Sequence, residues 1–189
     1  MTDMKNEGNG NSREAALPAE GEEIELDLSR IKQNDTFRCR EAEDEETIER
    51  YAEQFADYMK AEEQGEELDY PFPPISVWYD NGQYVLLGGY HRLEAARRAG
   101  SKTIMVRVFY GTEGDVFMVA MRDNGKHGLP LRSGDRRLIV MKALQRFPDM
   151  SMRAIASGLG CAPSSVSKIA NELYDSGQLV RPETKQGLD

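Results

Sequence analysis

Four short segments of this chain are predicted to form β-strands from the spacing of their apolar residues. Residues 24–28 and 104–110 carry apolar side chains at every second position, which is typical of half-buried strands. Residues 75–79 and 83–87 flank Asp80-Asn81-Gly82, a sequence that favours a tight turn. These two segments are therefore predicted to pair as a β-hairpin.

Other segments repeat their apolar residues at the 3.6-residue period of an amphipathic helix. The longest such pattern covers residues 48–59 and follows Asp44, a residue type that caps helix N-termini. Further helices are predicted at 90–99, 115–124 and 133–147, and a helix pair at 152–169. Ser133 is expected to be the N-cap of the helix predicted at 133–147. The order of elements predicts a small mixed sheet with helices, followed by a helical C-terminal region.

The chain of 189 residues is long enough to bury a core and suits one ordinary domain plus a smaller region. Residues 1–22 are rich in polar residues and glycine, so we expect a flexible tail; residues 23–125 form the predicted main domain and 126–189 the helical region. No run of 18 apolar residues and no signal-peptide pattern occurs, so neither a membrane span nor a leader is expected. Cys39 and Cys161 lack a metal-ligand spacing and are expected to be free thiols in a reducing cytoplasm.

The net charge of −9 is distributed unevenly along the chain. Residues 1–70 contain 8 Lys and Arg against 22 Asp and Glu, whereas residues 71–189 contain 16 against 11. The basic second part could meet nucleic acid or phosphates, which the acidic first part would repel. The acidic part has an alternative interpretation as a solvated face that keeps the protein soluble.

A candidate anion site lies where the second hairpin strand meets a helix, within residues 85–100. Gly88 and Gly89 lack a Cβ atom, so the backbone can approach a ligand closely there. The following helix would direct its unpaired N–H groups and the positive end of its dipole at that point, and His91 and Arg92 add side-chain donors. The alternative is a tight strand-to-helix turn with Arg92 in a surface ion pair.

The pattern Gly89-x-x-Arg92-x-x-Ala95, between a strand and a helix, resembles the nucleotide-binding signature of the ParB/sulfiredoxin superfamily. Sulfiredoxins carry a cysteine at the position of Tyr90, and their repair chemistry needs a thiolate that a phenol cannot replace. ParB proteins carry Glu and Arg at the positions of Tyr90 and His91. The resemblance implies an α+β domain over residues 23–125 that binds a nucleotide through Gly88, Gly89, Tyr90, His91 and Arg92.

Further site residues are implied by the same resemblance. An arginine after the first strand approaches the nucleotide in this superfamily, so Arg38 and Arg40 are candidate contacts, with plain surface arginines as the alternative. Asp123 and Asn124 stand where ParB relatives carry Glu-Asn near the triphosphate and its Mg²⁺, and oxygen ligands of this kind suit that ion. The alternative for this segment is a helix that ends at Asn124-Gly125. The resemblance gives Arg92, His91 and Asp123 as the catalytic candidates, with Asp123 as the metal ligand.

Residues 152–169 fit a helix-turn-helix, a motif that places its second helix in a DNA groove. The small Ala156 would let the helices approach, Gly160 would make the turn, and Val166 would bury the second helix. The candidate DNA contacts on the outer face are Ser164, Ser165, Lys168 and Asn171. The alternative is a helix pair that serves only for packing or as a dimer surface.

Two functions of different classes follow from these expectations. A ParB-like chain of this size resembles plasmid fertility-inhibition factors, which implies an enzyme that hydrolyses ATP with Mg²⁺, cleaves DNA and opposes conjugative transfer through a type IV secretion system. That function implies a cytoplasmic protein, including a peripheral position at the inner membrane through a secretion-system partner. The alternative is a non-catalytic, nucleotide-responsive DNA-binding regulator, although a net charge of −9 disfavours tight unassisted duplex binding.

Overall fold

The structure is a computed structural model, and it describes residues 21–40, 42–126 and 130–181. Within these ranges the chain forms one five-stranded sheet and six α-helices. The strands are β1 (Glu23–Asp27), β2 (Ile31–Lys32), β3 (Ile75–Asp80), β4 (Gln83–Gly88) and β5 (Thr103–Phe109). The helices are α1 (Glu45–Glu63), α2 (Tyr90–Arg98), α3 (Glu113–Lys126), α4 (Ser133–Arg146), α5 (Met152–Leu159) and α6 (Pro163–Asp175). Nearly all of the predicted tail lies outside the described residues.

The sheet has the strand order β1-β5-β3-β4-β2 and mixes parallel with antiparallel neighbours. β1 with β5 and β3 with β4 are antiparallel, whereas β3 with β5 and β2 with β4 are parallel. The predicted hairpin is the β3–β4 pair, and its turn contains Asn81 and Gly82, both with positive φ. The α+β fold with a mixed sheet is thus confirmed. β2 was not predicted, because two residues are too few to show a period.

Helices α1 and α2 cover one face of the sheet. Alternate residues of the central strands, among them Ile75, Val77 and Leu86, are buried on this face. Phe55 of α1 and Leu93 of α2 are buried against them, which explains why the apolar positions of these helices follow the 3.6-residue period. This packing fixes α2, and therefore its N-terminus, at the end of β4.

The other face of the sheet and helices α3 to α6 share a second core. Leu87 of β4 and Phe117 of α3 belong to the same buried cluster as Ile139, Ile155 and Val166 of the C-terminal helices. The helical region is therefore packed through α3 onto the sheet. None of the helices in the described ranges is long and apolar enough to cross a bilayer.

Two local expectations need correction. Ser133 does not cap α4: Arg132 occupies the N-cap position, and the carboxylate of Asp135 accepts a hydrogen bond of 2.9 Å from the Arg132 N–H. The helix α3 does not end at Asn124-Gly125 but continues to Lys126, two residues beyond Asn124.

Candidate functional site

The junction between β4 and α2 can be built only with glycine. Gly89 is the N-cap of α2 and has a φ of +93°, in the region that other residues avoid. A Cβ at this position would lie 2.5 Å from Cγ2 of Ile75, which is closer than any real contact. A Cβ at Gly88 would lie 3.2 Å from the Cβ of Asp123. The backbone therefore passes close to both β3 and α3, and the α2 N-terminus remains uncovered by side-chain caps.

A cavity of about 320 Å³ opens at this junction. It collects residues from five parts of the chain: the segment after β2, the first half of α1, the proline segment before β3, the β4–α2 junction and the end of α3. The cavity lining includes Arg38, Arg40, Gly89, Tyr90, His91, Arg92, Asp123 and Asn124. The nucleotide and metal candidates predicted from the sequence thus line one cavity. Gly88 is not among the lining residues but lies within contact distance of Asp123, which is one of them.

Arg92 is held by backbone carbonyls rather than by a surface carboxylate. Its Nη1 donates to the carbonyl oxygen of Pro74 at 3.1 Å and to that of Pro73. Burial lowers the pKa of Arg92 below its ordinary value, and the nearby Asp123 carboxylate opposes this effect. The alternative of a surface ion pair is therefore wrong, because the guanidinium fastens the proline segment that forms one wall of the cavity.

His91 is oriented by the start of α1. Its Nε2 accepts a hydrogen bond of 3.0 Å from the Asp44 backbone N–H, while the Asp44 carboxylate caps α1 by accepting from the Thr47 N–H. Burial lowers the pKa of His91 and the Arg40 charge adds to this, against the opposing charges of Asp44 and Glu43. His91 is therefore neutral at pH 7, and Nδ1–H is the ring donor that remains for a ligand.

The segment that carries the two arginines is held in part from the helical region. Arg38 forms an ion pair of 3.1 Å with Glu43, and Arg40 lies 3.8 Å from the carboxylate of Asp135 on α4. Lys142, also on α4, donates to the backbone carbonyl of Arg38 at 2.9 Å. Both arginines line the cavity; the Arg40 side chain is 14% exposed, whereas that of Arg38 is 34% exposed.

Asp123 and Asn124 are both anchored at the end of α3. The Ser76 hydroxyl donates to Oδ2 of Asp123, and Nδ2 of Asn124 donates to the Ala120 carbonyl at 2.7 Å. Within residues 21–40, 42–126 and 130–181, no group of three or more His, Cys, Asp or Glu side chains could hold a metal ion. One carboxylate fits Mg²⁺ only together with phosphate oxygens, the arrangement that this ion prefers with nucleotides.

The cavity also contains a thiol that the sequence did not indicate. Cys39 lines it, although it was interpreted only as a free thiol on a different segment, and burial raises its pKa to about 12. Burial also raises the pKa of Tyr90, whose hydroxyl donates to the Asn34 carbonyl at 3.3 Å. Both groups therefore keep their protons at neutral pH, and neither supplies the thiolate that sulfiredoxin chemistry needs.

An aromatic wall completes the cavity. Tyr51 of α1 and Phe72 lie with their ring centroids 4.7 Å apart, beside Pro73. Tyr51 was interpreted as a core residue of its helix, and Phe72 follows no periodic pattern. The two rings meet because Arg92 holds the proline segment in place beside α1. No pattern in the sequence near Tyr51 or Phe72 indicates that contact.

Helices α5 and α6, which the sequence predicts to form a helix-turn-helix, are joined by a short turn and share one buried cluster. Ser151 caps α5, Gly160 ends it with a φ of +62°, and Val166 buries α6 as expected. The four candidate DNA contacts, Ser164, Ser165, Lys168 and Asn171, are all exposed on one helix. They lie on α6 and do not contribute to the cavity lining.

Residues 13–125 match the model of the ParB N-terminal domain, and the chain belongs to this family. The match covers the cavity with its glycine junction and the whole sheet. The C-terminal helices α4 to α6 follow after it.

Two curated relatives are similar over about half of the chain. The transcriptional regulator NovG of Streptomyces niveus is 37% identical over 103 residues, which are 54% of this chain and 32% of NovG. A protein of Streptomyces griseus described as a possible regulatory protein of the streptomycin biosynthesis operon is 36% identical over 84 residues, 44% of this chain and 24% of that protein. The matched segments thus span a third or less of these relatives.

Among solved structures, the fold is similar to that of a C-terminally truncated chromosome-partitioning protein ParB from Caulobacter crescentus, solved in complex with the centromeric parS site. The TM-score is 0.52 at 20% sequence identity, with 83% of this chain and 80% of that chain covered. The similarity extends beyond the residues of the family match, because 83% of the chain is aligned, which is more than residues 13–125 alone.

Proposed function

We propose that this protein is a nucleotide-responsive DNA-binding regulator. The observation that carries the proposal is the cavity at the β4–α2 junction, which combines a helix N-terminus with cationic side chains. Three arginines and the neutral donor His91 surround space for a polyanion, and helix N-termini favour phosphate groups. A nucleoside triphosphate is the ligand class that this charge pattern fits, with ATP as the expectation from the sequence.

The DNA-binding part of the proposal rests on the C-terminal helices. Residues 130–181 contain 8 Lys and Arg against 4 Asp and Glu, so this region is basic although the whole chain is acidic. The exposed polar face of α6 has the residue types that contact bases and phosphates. The names of the two curated relatives describe regulators, and the similar Caulobacter protein was solved bound to DNA.

Titration calorimetry of the full chain with ATP, CTP, GTP and UTP, each with and without Mg²⁺, tests the nucleotide site. Arg38→Gln should lower the affinity for the nucleotide about tenfold or more, because a charge-assisted hydrogen bond contributes roughly 1.5–3 kcal/mol. Arg97→Gln is the matched control, since Arg97 is similarly exposed (38% against 34%) and also pairs with a glutamate. Equal affinities in the two variants, or no heat with any nucleotide, would contradict the proposal.

An enzymatic activity is a second candidate, favoured by one observation: the Asp123 carboxylate lines the cavity and is fixed by Ser76. In this proposal Asp123 would hold Mg²⁺ against the phosphates, and Arg92 and His91 would stabilise the charge that develops during hydrolysis of ATP. DNA cleavage, fertility inhibition and a type IV secretion partner rest on the resemblance of the sequence alone. Phosphate release from ATP and nicking of supercoiled plasmid, each measured with Mg²⁺, separate this candidate from a regulator that only binds.

A further inference from the structure

Three tyrosines form a row across the sheet at the end that carries the hairpin turn. Tyr79 of β3 pairs directly with Tyr84 of β4, and Tyr110 follows β5 beside Tyr79. The ring centroids of Tyr79 and Tyr84 are 5.0 Å apart, and those of Tyr79 and Tyr110 are 6.0 Å apart. The three rings therefore share one face of the sheet, across its three central strands.

This row is open to solvent. Tyr79 is 38% exposed and Tyr110 is 57% exposed, and they are two of the four large hydrophobic side chains classed as exposed in the described part of the chain. The other two, Leu68 and Val180, lie elsewhere in the sequence and do not belong to the row. Adjacent exposed aromatic rings are unusual on a soluble surface and mark an interaction site.

One cation stands at the β2 end of the row. The Arg30 guanidinium lies over the Tyr84 ring at 5.0 Å from its centroid. Lys32 pairs in register with Val85 and therefore points to the opposite face of the sheet, where it donates to the side chain of Gln83 at 3.0 Å. Among the described residues, Arg30 has no carboxylate within ion-pair distance, although its charge contributes to the lowered pKa of Asp27. Asp27 and Asp80, the nearest acidic residues in sequence, accept hydrogen bonds from Ser29 and Asn81.

We propose that the row binds single-stranded nucleic acid, with bases stacked on the tyrosine rings and a phosphate near Arg30. Base–aromatic stacking combined with cations is the usual recognition mode for unpaired strands. Only an unpaired strand has base faces to offer.

This surface is distinct from the proposed nucleotide cavity and from the helix-turn-helix. The cavity lies at the Gly88 end of β4, whereas the row lies at the Gln83 end, on the far side of a six-residue strand. The inference therefore does not depend on the proposed function. A single strand and a duplex would contact different parts of the molecule.

Fluorescence anisotropy of the full chain with a fluorescein-labelled dT12 oligonucleotide tests the proposal. The double variant Tyr79→Ala/Tyr110→Ala should weaken binding at least about 25-fold, since loss of each stacked ring lowers affinity roughly fivefold or more. Tyr79→Phe/Tyr110→Phe should bind nearly as wild type, because the ring faces remain. Leu68→Ala, which removes a side chain that is 54% exposed, is the matched control and should have no effect.

Four results would overturn the proposal. These are no binding of dT12 by the wild-type chain, equal binding by the double alanine variant, equal loss in the Leu68→Ala control, and a loss that instead follows alanine substitutions on α6. Sedimentation of the double alanine variant can give a fifth contradicting result. If its mass is lower than that of the wild type and its dT12 affinity is unchanged, the row is a contact surface between copies of the chain. Should the double variant fail to fold, Arg30→Gln is the alternative test, and it should weaken binding while Tyr84 stays in place.

Discussion

Gly89 is the residue on which the geometry of the cavity depends most. Gly89→Ala would combine a strained backbone, which costs about 1–2 kcal/mol, with a clash against Ile75 that adds about 1–3 kcal/mol. We expect lower stability in urea unfolding and loss of nucleotide binding by calorimetry. Gly100→Ala is the control, because Gly100 also has a positive φ but has no atom near the new Cβ. Equal destabilisation by both substitutions would contradict the role of Ile75.

His91 gives the fold a defined pH dependence. Its folded pKa lies below its unfolded value, so the unfolded chain binds the proton more readily and stability decreases as the pH falls. The contribution is complete above the unfolded pKa near 6.5 and is lost as the pH falls through the folded pKa. Between pH 7.5 and 5.0 the wild-type midpoint in urea should fall more than that of His91→Gln. Parallel pH profiles for the two proteins would show that the burial of His91 has no such effect.

The two cysteines should differ sharply in reactivity. Cys39 is buried with its pKa raised to about 12, whereas Cys161 is partly exposed. Because alkylation requires the thiolate, iodoacetamide at pH 8 should modify Cys161 in the folded protein and leave Cys39 intact. Mass spectrometry of peptides, with a urea-unfolded sample as the control, measures both sites. Rapid labelling of Cys39 without urea would mean that the cavity opens far more than the structure indicates.

At the scale of the elements, α6 and the cavity should be separable. Replacing Ser164, Ser165 and Lys168 together by alanine should weaken duplex DNA binding and lower its salt dependence by about one phosphate contact. Nucleotide affinity and any ATP turnover should remain, whereas Asp123→Ala should slow turnover and spare DNA affinity. Lys60→Ala on α1 controls for the loss of one exposed cation. Unchanged DNA binding in the triple variant would assign α6 to packing or dimer contacts instead.

Local sequence signals predicted those elements that have a complete pattern of their own. The hairpin, α1 and the β4–α2 junction each contain their period, turn or cap within a short segment, and each is present. The two-residue β2 has no such pattern. The N-cap of α4 was misplaced because Ser133 is a common cap type, whereas the observed cap depends on the buried Asp135.

The candidate site was predictable to the extent that its residues follow a family pattern. Gly89, His91 and Arg92 are adjacent in sequence, and the resemblance brought Arg38, Arg40 and Asp123 to them. Cys39, Tyr51 and Phe72 were missed because their position in the cavity results from packing between distant segments. The role of Arg92 in fastening Pro73 and Pro74 has the same origin, since nothing in the chain near Arg92 indicates that contact.

For the molecule as a whole, the second core joins the sheet to the C-terminal helices. Phe117 and Leu87 are buried in the same cluster as Ile155 and Val166, so separating the helices from the sheet would expose apolar surface on both sides. We therefore expect a single cooperative unfolding transition, with calorimetric and van't Hoff enthalpies in agreement. Differential scanning calorimetry of the full chain measures both, and two resolved peaks would contradict the expectation.

Trp78, the only tryptophan of the chain, lies against this shared core. Its indole donates to the Gly111 carbonyl at 3.2 Å and meets the Phe37 ring edge-on at 5.9 Å between centroids. Its emission is therefore an internal optical reporter for the α3 side of the sheet, whereas the far-ultraviolet circular dichroism sums the helices on both faces. If the two faces unfold together, both signals follow the same curve, and the protein reports this without any attached label.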